Sequence, residues 1–203
     1  TCLSGLLFWA FRFAFMFGTG NGFIGHQFFF LHGAPDTFGS SGIALPAFFL
    51  FQYAFADTCS TITSGAMIGR CGFWGDLMYS VGVSGFIYPI IGHWAWGPDG
   101  MLYTMGGQNP AFLADGKTHE AFTQLFSGVG VYFHDFAGST VVHSIGGWIA
   151  IAGGICLGPL IGRRFKRDGG GPMLPHDLTG AGVGRFILWF GWYGFNPGST
   201  LSA

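Results

Sequence analysis

Five stretches of the chain are apolar for long enough to be helices buried in lipid or in other helices, and short polar, Gly- or Pro-rich segments divide them. A hydrocarbon layer of about 30 Å takes roughly 20 apolar residues in helical form. The runs fall at about residues 3–17, 43–68, 77–96, 136–161 and 178–196, the first of them short and interrupted by Arg12. Residues 18–42 and 97–134 carry too many Gly, Asp, Lys and His residues to span and read as surface loops, and residues 69–76 and 162–177 are the other two connections. The pattern predicts an all-α, polytopic transmembrane helical bundle forming one region over residues 1–203.

Composition decides between a buried soluble core and a membrane. Only 8% of the residues are charged, 50% are hydrophobic, and the mean hydropathy is +0.47. A soluble domain carries about a quarter charged residues, because water-facing surface needs them. Most of this surface is therefore expected to face the lipid bilayer or other subunits. The net charge of -1 leaves no basic field for a phosphate backbone, so nucleic acid is not an expected partner.

Charge placement sets the expected orientation. Arg163, Arg164, Lys166 and Arg167 follow the fourth run and Arg70 follows the second, which places both connections on one face. By the positive-inside rule that face is cytoplasmic, and loops 18–42 and 97–134 are external. The expected location is a plasma or inner membrane, with an organelle membrane as the alternative. The chain has no initiating Met and no signal peptide pattern, and reads as beginning in mid-protein.

Reaction chemistry is sparse. Cys2, Cys59, Cys71 and Cys156 form no CxxC pair and carry no metal or disulfide argument. The Gly18-Thr-Gly-Asn-Gly22 segment lacks the Lys-Ser/Thr ending of a phosphate loop and reads as a turn. With no nucleophile–base pair, metal cluster or cofactor loop, neither an enzyme nor a cofactor is expected. Gly146, Ala150, Gly154 and Gly158 repeat every fourth residue, a nearly bare helix face that lets another helix approach closely.

Ionisable residues inside the runs are costly and tend to face a pore or a partner. His143 stands eight residues after Asp135, roughly 12 Å deeper at 1.5 Å per helical residue. A neutral imidazole there can exchange hydrogen bonds or a proton with a small polar guest. Asp135 can cap the helix start, attract a cation, or do both. The partners of Asp57 and Arg12 are left open.

Asp135-Phe-Ala-Gly-Ser-Thr-Val-Val-His143, then Gly146-Gly147, then Gly158-Pro159-Leu-Ile-Gly162-Arg163 resembles the signature of the ammonium transporter, methylammonium permease and Rh family. Gly20-Asn-Gly-Phe-Ile-Gly25, Phe51-Gln-Tyr-Ala-Phe55 and the Tyr88 to Gly97 block agree in order and spacing. Pro175-His-Asp-Leu178 with Leu188 to Ser199 is closest to the bacterial, algal and plant branch. The resemblance implies an external recruitment site at Trp96, Phe55 and Ser199, a gate at Phe55 and Phe195, and a pore histidine at His143. It also implies an inverted-repeat fold, of which about five spans are present, a homotrimer or other membrane subunits as partners, and ammonium or ammonia, with methylammonium as a further candidate, as the guest. The second half of that repeat, with a second pore histidine, is not in this sequence, and Ile68-Gly69-Arg70 stands where the family commonly has Ala-Glu-Arg, leaving the role of Gly69 unassigned. The expected function is ammonium transport; the alternatives are a non-conducting sensor of the same fold or a structural subunit of a larger membrane complex.

Overall fold

The computed structural model describes residues 2–38, 42–105, 133–172, 174 and 176–201. Most of the expected loop at 97–134, and Pro175 of the last motif, lie outside these residues.

Helix α1 covers Cys2–Phe17 and contains a π-helical turn at Phe8–Arg12. That turn carries Arg12, which is fully buried. Its Nη1 donates to both the carbonyl and the hydroxyl of Ser4 at 2.9 Å, and its guanidinium carbon lies 5.5 Å from the ring centres of Phe8 and Tyr88. Ring faces, the Ser4 hydroxyl and a backbone dipole replace part of the water that burial removes, while Nε and Nη2 have no hydrogen-bond partner among the described residues.

A short hairpin leads into the second helix. Thr37–Phe38 (β1) pairs antiparallel with Ile43–Ala44 (β2), Thr37 opposite Ala44 and Phe38 opposite Ile43. Helix α2, Leu45–Met67, follows at once with Pro46 in its first turn, where a missing N–H costs nothing. It stops where Ile68 turns extended and Gly69 takes φ +71°.

Helix α3 covers residues 73–96 and bends through a π-helical turn at Val83–Ile87, just before Pro89. Proline offers no N–H to the preceding turn, and the helix widens there. Helix α4, Ser139–Leu157, opens with a π-helical turn at Ser139–Ser144. It ends at Gly158, whose φ of +76° and ψ of -165° belong to a region essentially reserved for glycine, and Pro159 follows. Helix α5, Leu178–Gly198, is capped by Asp177, whose Oδ1 accepts the Gly180 amide at 2.7 Å.

Helix α2 lies at the centre. Its Phe48, Phe55, Ala56 and Cys59 pack with Phe8, Phe13 and Met16 of α1, Tyr88 and Ala95 of α3, and Val141, Val142 and Ile145 of α4. The small-residue stripe of α4 is used at Gly146, where a Cβ would stand 2.9 Å from Ile62 Cβ and 3.1 Å from the Cys59 carbonyl oxygen. The next close approach is Gly153 against Met67, whereas Gly154 meets nothing within 4 Å. The stripe read from the sequence therefore drifts by one residue along the real contact line, as a straight 3.6-residue helix requires.

Arg70 donates to the Gly158 carbonyl, which joins the α2–α3 and α4–α5 connections at one end of the bundle. Among the described residues, Ser139–Leu157 alone is both long and apolar enough to pass as a membrane span by itself. Helix α2 has the length, at 23 residues, but Gln52, Asp57 and its run of Thr and Ser residues lower its hydropathy.

Gly146 and Gly147 make opposite predictions. Ala is the better helix former by about 1 kcal/mol, so Gly147→Ala, with no atom within 4 Å of the new Cβ, should leave thermal stability unchanged or raise it. Gly146→Ala drives a Cβ into Ile62 and should lower stability by about 1–3 kcal/mol, read as midpoint shifts in detergent or nanodiscs.

Candidate functional site

An open cavity of roughly 630 Å³ lies at the bundle end opposite Arg70, where the ends of α3 and α5 meet the start of α4. Trp96, Phe55, Ser199 and Asp135 all line it, so four residues far apart in sequence come together.

Trp96 is the last residue of α3, and its Nε1 donates to the Asp135 carbonyl at 2.7 Å, which fixes the indole. The Phe55 ring is 5.7 Å from the Trp96 ring, edge to face at 79°. Phe55 also packs on Phe195 of α5 at 4.5 Å. Phe195 in turn lies 5.9 Å from the His143 ring and 5.0 Å from Trp192, and Trp192 lies 5.8 Å from His143. A continuous line of rings runs from the cavity wall, through Trp96, Phe55 and Phe195, to His143.

Ser199 follows the last turn of α5, and its hydroxyl donates to the Phe195 carbonyl at 2.8 Å. With the proton committed there, the oxygen lone pairs remain as acceptors at the cavity wall. The His143 Nδ1 lies 3.3 Å from the Gly138 carbonyl oxygen. A carbonyl only accepts, so this contact places a proton on Nδ1 and turns Nε2 away from that carbonyl.

The Asp135 carboxylate is wholly engaged in starting α4. Oδ1 accepts the amides of Gly138 and Ser139 at 2.6 and 3.1 Å, and Oδ2 those of Thr140 and Val141 at 2.8 Å each. Gly138 stands between with φ +89°, where a Cβ would strike Val142. The carboxylate satisfies the orphan amides and meets the positive end of the helix dipole. Of its two roles read from the sequence, the cap is the one drawn in hydrogen bonds.

Sequence reasoning passed over Trp192 and Phe51. Phe51 packs at 4.7 Å on Phe55. The signal for both was helical spacing, Phe51 four residues before Phe55 and Trp192 three before Phe195, but 25 phenylalanines in the chain drown such spacings.

Comparison with known proteins gives a consistent result. A profile described as the Ammonium Transporter Family matches residues 1–203. The chain is 41% identical over 199 residues to Ammonium transporter 1 member 2 of Arabidopsis thaliana, covering 96% of this chain and 35% of the relative. It is 42% identical over 200 residues to Ammonium transporter Amt2 of Archaeoglobus fulgidus, covering 98% and 38%. A solved structure described as a Sensor Amt Protein superposes with a TM-score of 0.74 at 35% identity, over 100% of this chain and 44% of that one. The chain thus spans a little over a third of the length of these curated relatives.

The Asp135 cap gives a graded prediction. Asp135→Ala leaves four amides at a buried helix start without their acceptor and should cost about 2 kcal/mol or more. Asp135→Asn keeps one oxygen and should fall between that variant and the wild type. Thermal unfolding of the three in one detergent tests the order.

Proposed function

The chain belongs to the ammonium transporter family, and from that membership we propose that the protein carries ammonium across a membrane, crossing its constriction as NH3. Ammonium is recruited in the cavity beside Trp96, Phe55 and Ser199, gives up a proton, passes between Phe55 and Phe195, and meets His143. The observation that carries this reading is the unbroken line of rings from Trp96 to His143.

Each station suits its step. An aromatic face attracts a cation by roughly 0.5 to 2 kcal/mol, and a hydroxyl oxygen accepts one of the ammonium N–H bonds. Removing water from NH4+ costs far more than removing it from NH3, so an apolar constriction of Phe55, 2% exposed, and Phe195 favours the neutral species and rejects Na+ and K+. Beyond it, the free Nε2 of His143 is an acceptor for an N–H of NH3 and adds no fixed charge.

The end that carries Arg70 and the Arg163 to Arg167 cluster is assigned to the cytoplasm, and the cavity end to the outside. The five helices serve as spans, α2 and α3 shielding their polar residues among neighbours. The exposed apolar side chains of α5, among them Phe186, Ile187 and Phe190, suit lipid or a neighbouring subunit, and a homotrimer is the assembly that the resemblance implies.

A second reading, sensing without flux, is favoured by the likeness to a solved structure described as a sensor. It predicts ammonium binding at the same cavity with no uptake.

Uptake of labelled methylammonium separates the two. Transport predicts uptake by the wild type, a roughly 2- to 30-fold weaker apparent affinity in Trp96→Ala, from the lost cation–ring attraction, and loss of most uptake in His143→Ala. Binding without uptake in the wild type selects the sensor, and uptake indifferent to both substitutions removes the assigned path.

A further inference from the structure

The strongest unassigned constellation lies one helical turn before Trp96. His93, in the last turn of α3, is fully buried, and both of its ring nitrogens face acceptors. Nδ1 is 3.0 Å from the Met16 carbonyl oxygen, and Nε2 is 2.8 Å from the Asn21 carbonyl oxygen and 3.2 Å from Asp99 Oδ1. Carbonyl oxygens carry no proton to give. A neutral imidazole has one N–H and one lone pair, and could satisfy one carbonyl only while pressing its lone pair against the other. The imidazolium, with two N–H groups, satisfies both.

The surroundings favour a cation there. Met16 lies in the last turn of α1, whose carbonyls project from the negative end of the helix, and His93 itself lies in the last turn of α3, so two helix C-termini converge on the ring. Asp99, 6% exposed, is the acidic group at the ring. Burial alone would push the Asp99 carboxyl up, but the His93 contact and the Gly20 amide, which donates to Oδ2 at 2.8 Å, together hold it below its ordinary value. Asp135 accepts the Trp96 indole at its carbonyl and has its carboxylate oxygens taken by α4, and His26 stands beside Gly20 on the loop.

We propose that His93 is held as the imidazolium and that the buried His93–Asp99 pair is a positioning element, locking the 18–25 loop onto the end of α3 that presents Trp96 to the cavity. Further bonds tie the same loop to its surroundings. Gly20 pairs with Gly25, the Phe15 carbonyl accepts the Gly25 amide, Trp94 Nε1 donates to the Phe23 carbonyl, and Met101 N donates to the Gly22 carbonyl. A Cβ at Gly97 would run into His93 Nδ1, and one at Gly20 into the Ile24 carbonyl, so the contact closes only with glycine at both positions. The protonation state stands on this geometry alone; the consequence for recruitment rests on the transport reading above.

Isotope-edited NMR of the histidine ring nitrogens, in the full protein in nanodiscs, tests the charge, with His93→Gln identifying the signal. At about pH 7, where an ordinary histidine is mostly neutral, His93 should show two protonated ring nitrogens; a neutral His93 there overturns the proposal. The carboxylate sign is equally definite. Because the Asp99 carboxyl is held below its ordinary value, its contribution is present above that value and lost as pH falls through the lower folded one, so exchange protection of the Gly20 amide should persist into acid and then disappear. Asp99→Asn should neutralise His93 at about pH 7 and weaken apparent methylammonium affinity roughly tenfold with the maximal rate kept, and Asp99→Glu should restore both. If Asp99→Asn leaves the His93 signal and the apparent affinity unchanged, the positioning role is wrong while His143-dependent uptake still stands. If the wild type takes up no tracer, the transport reading falls and the NMR result still decides the charge.

Discussion

The carboxylate of Asp135 holds the start of α4 and, through its own backbone, the end of α3. Four amide hydrogen bonds converge on its two oxygens, and its carbonyl accepts the Trp96 indole. Without the cap the first turn of α4 would leave four donors without their acceptor, a cost of about 2 kcal/mol or more. With it, Gly138 can take its left-handed conformation and offer one carbonyl to the amides of both Val142 and His143. The His143 ring leans on that same carbonyl through Nδ1. The cavity wall at Trp96 and the histidine at the far end of the ring line are therefore set by one residue.

The π-helical turns have a similar local logic. Those in α1, α3 and α4 each admit one extra residue per turn, and each lies at a feature that a regular helix would not tolerate: Arg12 buried against Ser4, Pro89 without an N–H, and His143 sharing the Gly138 carbonyl. A widened turn rotates every later side chain relative to the 3.6-residue pattern. This places Tyr88 opposite Arg12 and turns Val141 and Val142 into the core while His143 stands half-buried beside α5.

These offsets mark the limit of what the residue order reveals. The ends of α1 and α2 were legible because Gly18 and Gly69 carry their own conformational signals, and the Asp135 cap was legible because an acid just before an apolar run does one of few things; the same signals at Gly158 and Pro159 were passed over. The expected fourth run at 136–161 shortened to Ser139–Leu157, since Asp135 takes three residues to reach the first helical turn and Gly158 stops the last. The resemblance named Trp96, Phe55, Phe195, Ser199 and His143; it could not say which rings touch. Nor did spacing distinguish His93 from any polar residue at a helix end, because its partners are two backbone carbonyls, from Met16 and Asn21, and backbone groups leave no trace in composition.

A chain with only 8% charged residues is informative in where it buries them. Arg12 is held by Ser4 and two ring faces, Asp135 by four amides, and Asp99 by the His93 ring and the Gly20 amide. The two carboxylates are met by dipoles or an opposite charge within their own neighbourhood, and Arg12 by Ser4 at one nitrogen and by two ring faces, its Nε and Nη2 having no hydrogen-bond partner among the described residues; such local compensation is the condition for leaving water at tolerable cost. None of them extends along the rings between the cavity and His143, which are Phe55, Phe195 and Trp192. Fixed charges therefore lie at the cavity end and at the helix ends, while the line of rings beyond offers a charged guest nothing in exchange for its hydration shell. On the transport reading proposed above, a cation is attracted to the cavity, and only its neutral conjugate base travels further without the full desolvation cost.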